Sequence, residues 1–256
     1  MTSLLEEQAL TLLLEAVGVT KAFGGVVAND GVSLAVPEGS IVGLIGPNGS
    51  GKTTLFNAIT GAIPIDAGAI RFKGNDVSRL LAGDIARAGI IRTSQQPRIY
   101  GGLTTSDNVI VSTAMRTASF GSLFGRARNH AEDKVEELLD FVDLTAKAGI
   151  VAGELSFGQQ KLLELAMALA NEPSLLLLDE PTAGINPTLI NDLIDRLKVA
   201  NNALGVTLLI IEHNMPVIMD LAEHIYCLAH GRLLAEGPPD AIQNDARVLD
   251  AYLGAA

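Results

Sequence analysis

At 256 residues the chain is long enough to bury a full α/β core, and one large domain with a lobe accounts for that length better than two independent domains. Its 18 lysines and arginines against 29 acids leave a formal net charge of −11, which argues against a sequence-independent grip on nucleic acid. A single cysteine, Cys227, excludes an intrachain disulfide, no apolar run reaches bilayer-spanning length, and the opening Met1-Thr-Ser-Leu-Leu-Glu-Glu lacks the basic start and cleavage site of a secretion signal.

In chain order, residues 1 to 11 read as a short polar-apolar extension. Leu12 to Val19 then alternates as a first strand. Lys21 to Gly25 reads as a turn, and Val32 to Val36 as a second strand closed by Pro37-Glu-Gly39. Strands this early predict an antiparallel sheet beside the main core. Phe23 is one of few aromatics in a chain that is 4% aromatic, and it is open to two readings, a ring stacked on a base or a core side chain.

The apolar run Ser40 to Ile45 predicts a buried strand. It leads into Gly46-Pro47-Asn48-Gly49-Ser50-Gly51-Lys52-Thr53, which matches the phosphate-binding pattern G-x-x-x-x-G-K-[ST] at every fixed position. Such a loop turns successive N–H groups toward phosphate oxygens. Lys52 reaches the terminal phosphates, Thr53 offers a hydroxyl to Mg²⁺, and the helix through Thr54 to Ile59 aims its positive end at the same anion.

Beyond the loop, Ala69 to Phe72 reads as a strand into a turn at Lys73 to Asp76, Leu80 to Ala88 as a short helix, and Gly89 to Ile91 as a strand. That strand ends in the polar segment Arg92 to Pro97, where α/β sheets place their ligands, so that Gln95 and Gln96 are either site residues or solvated ones. Thr105 to Ala118 is predicted helical, followed by an interruption at Ser119 to Gly125 and a basic run, Arg126, Arg128 and His130, of the kind usually found in solvated loops. Glu132 to Leu144 has helical spacing, with Val135, Leu138, Leu139 and Val142 on one face.

In Leu155 to Gln160, Ser156 and Gly158 precede a helix predicted over Lys161 to Ala170, and Ser156 is either a helix cap or part of an anion site at that helix start. Leu175 to Leu178 is a buried strand ending in Asp179 and Glu180. Two carboxylates there suit a metal and an attacking water, and the other reading is a cap on the next helix. Val206 to Ile211 brings Glu212-His213-Asn214 to the same sheet edge, where His213 can donate to a phosphate oxygen, while His224 and His230 read as ordinary surface or packing residues.

Taken in order, the phosphate loop, Gln95, Leu155-Ser-Phe-Gly-Gln-Gln160, Leu175 to Glu180, Ala183-Gly-Ile-Asn186 and His213 resemble the ATPase subunit of an ABC transporter over residues 12 to 256. The runs Phe23-Gly-Gly25, Arg92-Thr93-x-Gln95, Ile211 to Met215 and Ala251-Tyr-Leu-Gly254 make the chain similar to the branched-chain amino-acid importer ATPases, the member of the pair with a longer insertion. The resemblance implies an α/β fold, with a RecA-like core, an antiparallel β subdomain and a helical lobe at about 104–160. It implies ATP and Mg²⁺ as ligands. Phe23 stacks on adenine, residues Gly46 to Thr54 bind ATP, and Thr53, Gln95 and Asp179 hold the metal. Glu180, Gln95 and His213 form the hydrolytic set, while Ser156, Gly158 and Gln159 meet the ATP of a second ATPase subunit.

The implied partners are that second subunit, permease chains docking a cytoplasmic helix beside Gln95 to Tyr100, and a substrate-binding protein reached only through them. No nucleic acid is expected. The implied location is peripheral, on the cytoplasmic face of the membrane, with an apolar content of 48% available to a hydrophobic partner. The chain also resembles lipopolysaccharide-export ATPases, which give the second transport reading. A third reading, an ABC ATPase acting on nucleic acid or ribosomes, lacks the expected second cassette, coiled-coil insertion and basic face. Departures from the family are Ser94, where an aromatic is usual, and Asn186 in place of the aspartate of many ABC ATPases, although relatives of this importer group resemble the chain there; the insertion around Met115 to His130 matches least.

Overall fold

The computed structural model describes residues 11–117 and 126–253. The expected extension, apart from Thr11, the interruption at Ser119 to Gly125, and Gly254 all lie outside them.

Two sheets share the molecule. The larger has the order β10-β9-β3-β8-β7-β6. It is built from β3 (Ile41–Ile45), β6 (Ile90–Arg92), β7 (Leu175–Asp179), β8 (Thr207–Ile211), β9 (His224–Ala229) and β10 (Arg232–Gly237). The first five run parallel, and β10 returns antiparallel along β9. In β3, β7 and β8 every residue is buried, because the sheet is covered on both faces, and this is why they read as unbroken apolar runs. Alternation still divides them. Val42, Leu44, Leu175, Leu177, Leu209 and Ile211 enter one core, and Ile41, Ile45, Leu176, Leu178, Leu208 and Ile210 enter the other.

The first of these cores lies toward the smaller sheet, ordered β2-β1-β4-β5, and toward α1 (Lys52–Ile59). Its strands are β1 (Leu12–Phe23), β2 (Val26–Pro37), β4 (Ala67–Phe72) and the short β5 (Asn75–Asp76). The turn expected at Lys21 to Gly25 shrinks to Gly24 and Gly25, and β2 starts six residues before the predicted Val32. The reason is that side chains patch the ladder where Gly18, Asn29 and Gly31 bend it: Gly18 N–H donates to Ser33 Oγ at 2.9 Å and Gly31 N–H to Thr20 Oγ1 at 3.1 Å. The turn at Lys73 to Asp76 likewise loses Asn75 and Asp76 to β5.

On the opposite face lie α3 (Thr105–Thr117), α4 (Arg126–Phe141), α5 (Phe157–Leu169), α6 (Pro187–Asn202) and α7 (Met215–Leu221). Val135, Leu138 and Leu139 of α4, with Val142 just beyond it, are buried as their spacing predicts. The basic run Arg126, Arg128 and His130 belongs to α4 instead of a loop, continuing its helix toward the N-terminus. Helix α5 starts at Phe157, four residues before the predicted Lys161, because Ser156 and Gln159 close a reciprocal capping box. Helix α2 (Ala82–Ala88) precedes β6, and α8 (Pro239–Gln243) and α9 (Ala246–Leu253) end the described chain. Among the described residues no helix is long and apolar enough to cross a membrane.

Candidate active site

Adjacent parallel strands β3, β8, β7 and β6 end on one edge, so four loops meet at their carboxyl ends, where open α/β sheets bind ligands. The glycine-rich loop follows β3, Glu180 follows β7, Glu212 and His213 follow β8, and Gln95 follows β6 by three residues.

Gly46 leaves the strand at φ 144, and a Cβ there would stand 2.1 Å from the Leu228 carbonyl oxygen and 2.7 Å from Ser50 Oγ. Alanine at this position combines a clash with a strained φ, so Gly46→Ala is expected to lower unfolding stability by about 3 kcal/mol in a urea titration. Lys52 is 6% exposed, and its Nζ donates to the carbonyls of Gly46 at 2.7 Å and Pro47 at 3.0 Å. Burial pulls its ammonium below the ordinary lysine value, and nearby Glu180 and Asp179 pull it back. Ser50 Oγ is buried with no protein partner, while Asn48, Gly49 and Thr53 are exposed. From β2, Asn29 Nδ2 donates to the Gly51 carbonyl at 3.1 Å, tying the small sheet to the loop.

The structure brings Glu180, Gln95 and His213 together on one carboxylate. Gln95 Nε2 donates to Glu180 Oε2 at 2.8 Å, and His213 Nε2 lies 2.9 Å from Glu180 Oε1. Glu180 adopts φ 50, a left-handed conformation that costs a non-glycine residue about 1–2 kcal/mol. Its peptide groups are pinned on both sides, the N–H by the Ile211 carbonyl at 2.9 Å and the carbonyl by Lys161 Nζ at 3.0 Å. Neither Asp179 nor Glu180 caps the following helix: Asn186 caps α6, accepting from Leu189 N–H at 2.9 Å. Asp179 is nearly buried and pairs through Oδ2 with Arg92 Nη2 at 2.5 Å; Arg92 Nη1 in turn donates to Asn57 Oδ1 at 2.6 Å.

Phe23 is 50% exposed at the tip of the β1–β2 hairpin, beside the exposed Val26 and Val27, so it is not a core residue. Ser156 is exposed and caps α5, accepting from Gln159 N–H at 3.4 Å while Gln159 Oε1 accepts from Ser156 N–H at 3.1 Å. Gly158 is glycine for a reason within this chain, since a Cβ there would lie 2.1 Å from Leu189 Cδ2. Phe157 packs toward Gly184, whose own Cβ position is 2.9 Å from the ring.

Several residues that sequence reasoning did not single out hold this arrangement. Glu164 of α5 accepts from the N–H groups of Ser94 at 3.2 Å and Arg98 at 3.1 Å, and burial pushes its carboxyl above the usual range. That contact supplies the backbone anchoring for the Gln95 segment, with Ser94 contributing only its peptide. Glu212, 2% exposed, accepts from Thr182 N–H at 2.9 Å, His213 N–H at 2.8 Å and Asn214 N–H at 3.0 Å, joining the segments after β7 and β8. The available signal was a lone ionisable residue within or directly after an apolar element, as with Lys161 and Glu164 in α5 and Glu212 after β8.

A family model described as ABC transporter matches residues 29–183, and one described as branched-chain amino acid ATP-binding cassette transporter matches residues 232–256. The high-affinity branched-chain amino acid transport ATP-binding protein BraF of Pseudomonas aeruginosa is 38% identical over 251 residues, covering 95% of this chain and 98% of BraF. The crystal structure of a nucleotide-free ATP-binding cassette from an ABC transporter is similar at TM-score 0.84 and 33% identity, over 94% of this chain and 98% of that one. A dimeric post-hydrolysis state of an ATP-binding cassette bound to ADP and Pi is similar at TM-score 0.78 and 26% identity, over 88% and 98% of the two chains. With its phosphate loop, its paired carboxylates and these relatives, the chain belongs to the ABC transporter family as an ATP-binding cassette, an ATPase.

Proposed function

We propose that this chain is the ATP-hydrolysing subunit of a transporter that imports branched-chain or related amino acids. The observation that carries the reading is the Glu180 carboxylate held between Gln95 and His213 at the strand edge that also bears the phosphate loop. The C-terminal match and the function named for BraF point to the cargo.

In this reading residues 12–256 form one ABC ATPase domain with its helical lobe at about 104–160, and residues 1–11 an extension. The loop fits a polyphosphate, since the space beside Gly49 is open, Lys52 is held by the loop's own carbonyls, and the buried Ser50 Oγ has no protein partner. The loop from Gly46 to Thr54 and the start of α1 bind the phosphates through the N–H groups that follow Pro47, and Lys52 adds the positive charge. Thr53, Gln95 and Asp179 offer oxygen donors, the set a hard cation takes, and would hold Mg²⁺. When bound, that ion neutralises charge on the phosphate oxygens. Glu180 polarises the attacking water as general base, and its two hydrogen-bond partners hold the carboxylate at one angle. Phe23, with Val26 and Val27 beside it, presents an apolar platform for adenine. Ser156, Gly158 and Gln159 at the start of α5 reach the ATP of a second ATPase subunit, so that dimerisation completes each site.

A groove beside this edge is lined by Gln95 to Arg98, by Ala86 of α2 and by Met167 and Ala168 of α5. It is the proposed dock for a cytoplasmic permease helix, which places the chain peripherally on the cytoplasmic face. Through that permease it would serve a substrate-binding protein. Ala86 is exposed, so Ala86→Arg fills the groove without disturbing the core. The variant is expected to keep its basal ATP hydrolysis and to lose the permease chains in purification of the native complex. Permeases that still co-purify would move the dock elsewhere. If wild-type protein brought down lipid-export or ribosomal components, the cargo reading would fail.

A further inference from the structure

The last described helix reaches back to the start of the phosphate loop. Tyr252 of α9 accepts the N–H of Gly46 on its hydroxyl at 2.8 Å, across 206 residues of sequence. We propose that Tyr252 is a positioning residue for ATP binding, holding the first peptide of the phosphate loop so that Lys52 and the loop N–H groups stay aimed at the phosphates. The inference rests on ATP binding at this loop and is independent of the cargo.

Gly46 is the joint between a rigid strand and a loop of special shape. Its N–H lies beyond the last paired residues of β3, and as a glycine it imposes little torsional restraint of its own. Its two peptide groups are taken by side chains from within the loop and from the last described helix. Tyr252 takes the N–H, and Lys52 donates to the carbonyl at 2.7 Å. A rotation about Gly46 therefore breaks both contacts and frees the Lys52 ammonium from the position they hold it in. The tyrosine is well suited to this duty: its ring packs against the main core, and burial pushes its pKa up to about 12, so the hydroxyl stays neutral at physiological pH.

Two further contacts from the same stretch of chain support the loop. Gly231 N–H donates to the Ser50 carbonyl at 3.1 Å, and the Leu228 carbonyl fills the space beside the Gly46 α-carbon. The outer wall of the phosphate loop is thus built from residues 228 to 252, which include the hairpin turn between β9 and β10 and end on α9. Val248 anchors that helix in the core.

The test is Tyr252→Phe in the full chain, which removes the hydroxyl and keeps the ring. Binding of a fluorescent ATP analogue is expected to weaken about five- to ten-fold, because binding must then order a loop that the bond holds in advance, and the KM for ATP to rise with it. The rate at saturating ATP should change less than about two-fold, and the nucleotide-free melting temperature by only a few degrees, since one hydrogen bond is about 1 kcal/mol. Lost thermal stability with unchanged affinity would reduce Tyr252 to a packing role and overturn the proposal. Hydrogen exchange on nucleotide-free wild-type protein gives a second readout that needs no variant. The Gly46 amide is expected to be protected, and exchange at the rate of a free amide would overturn the proposal. Wild-type protein that binds no ATP would instead defeat the reading on which it rests.

Discussion

Glu180→Gln is expected to yield a protein that binds ATP and leaves it intact. The substitution keeps the shape of the side chain but replaces a carboxylate by an amide, which cannot take a proton from water. His213 and Gln95 now bond the two carboxylate oxygens at 2.9 and 2.8 Å, and the amide retains only one acceptor oxygen for them. Loss of a general base lowers hydrolysis by a factor of about 10²–10⁴, whereas the phosphate loop, which supplies the binding energy, is untouched. In the proposed sandwich the trapped nucleotide also holds two subunits together. Size-exclusion chromatography with ATP should therefore show a dimer that ADP does not give. Hydrolysis at the wild-type rate would remove Glu180 from its proposed role.

Lys52→Ala acts one step earlier, on binding. Lys52 is 6% exposed and its ammonium is held by two carbonyls of its own loop, so it is pre-aimed with little side-chain freedom left to lose. Deleting it removes the cation proposed to meet the terminal phosphates, and it leaves the carbonyls of Gly46 and Pro47 without their donor. Truncating one partner of a buried charge contact costs about 2–5 kcal/mol, so Mg-ATP affinity is expected to fall at least about thirty-fold. Calorimetric titration measures this directly, and unchanged affinity would count against the phosphate-loop assignment as a whole.

These two residues were legible because their motifs are local. The phosphate loop occupies eight consecutive positions, and Asp179 and Glu180 close an apolar run that only a strand buried on both faces requires. The elements that sequence reasoning cut short or passed over depend on partners far along the chain. Lys21 to Phe23 reads as a turn because of Gly24 and Gly25, yet pairing with β2 keeps it extended. Strands β9 and β10 sit at an edge whose parallel partner, β3, lies about 180 residues away. The same holds within the site. Arg92 meets Asp179 across 87 residues, Glu164 meets Ser94 across 70, and Tyr252 meets Gly46 across 206. No spacing rule spans such distances. What sequence did mark was chemistry out of place, such as an arginine at a strand end or a glutamate within a buried helix.

The measurement closest to the central claim is ATP-driven uptake by the complex that this chain forms with its native permease chains, reconstituted in vesicles with ATP trapped inside and the substrate-binding protein and labelled leucine outside. With wild-type subunit the vesicles are expected to accumulate leucine while hydrolysing ATP, and with Glu180→Gln to do neither although the complex still assembles. Leucine accumulation or ATP hydrolysis that survives Glu180→Gln, or wild-type vesicles that hydrolyse ATP and move no branched-chain amino acid, would contradict it.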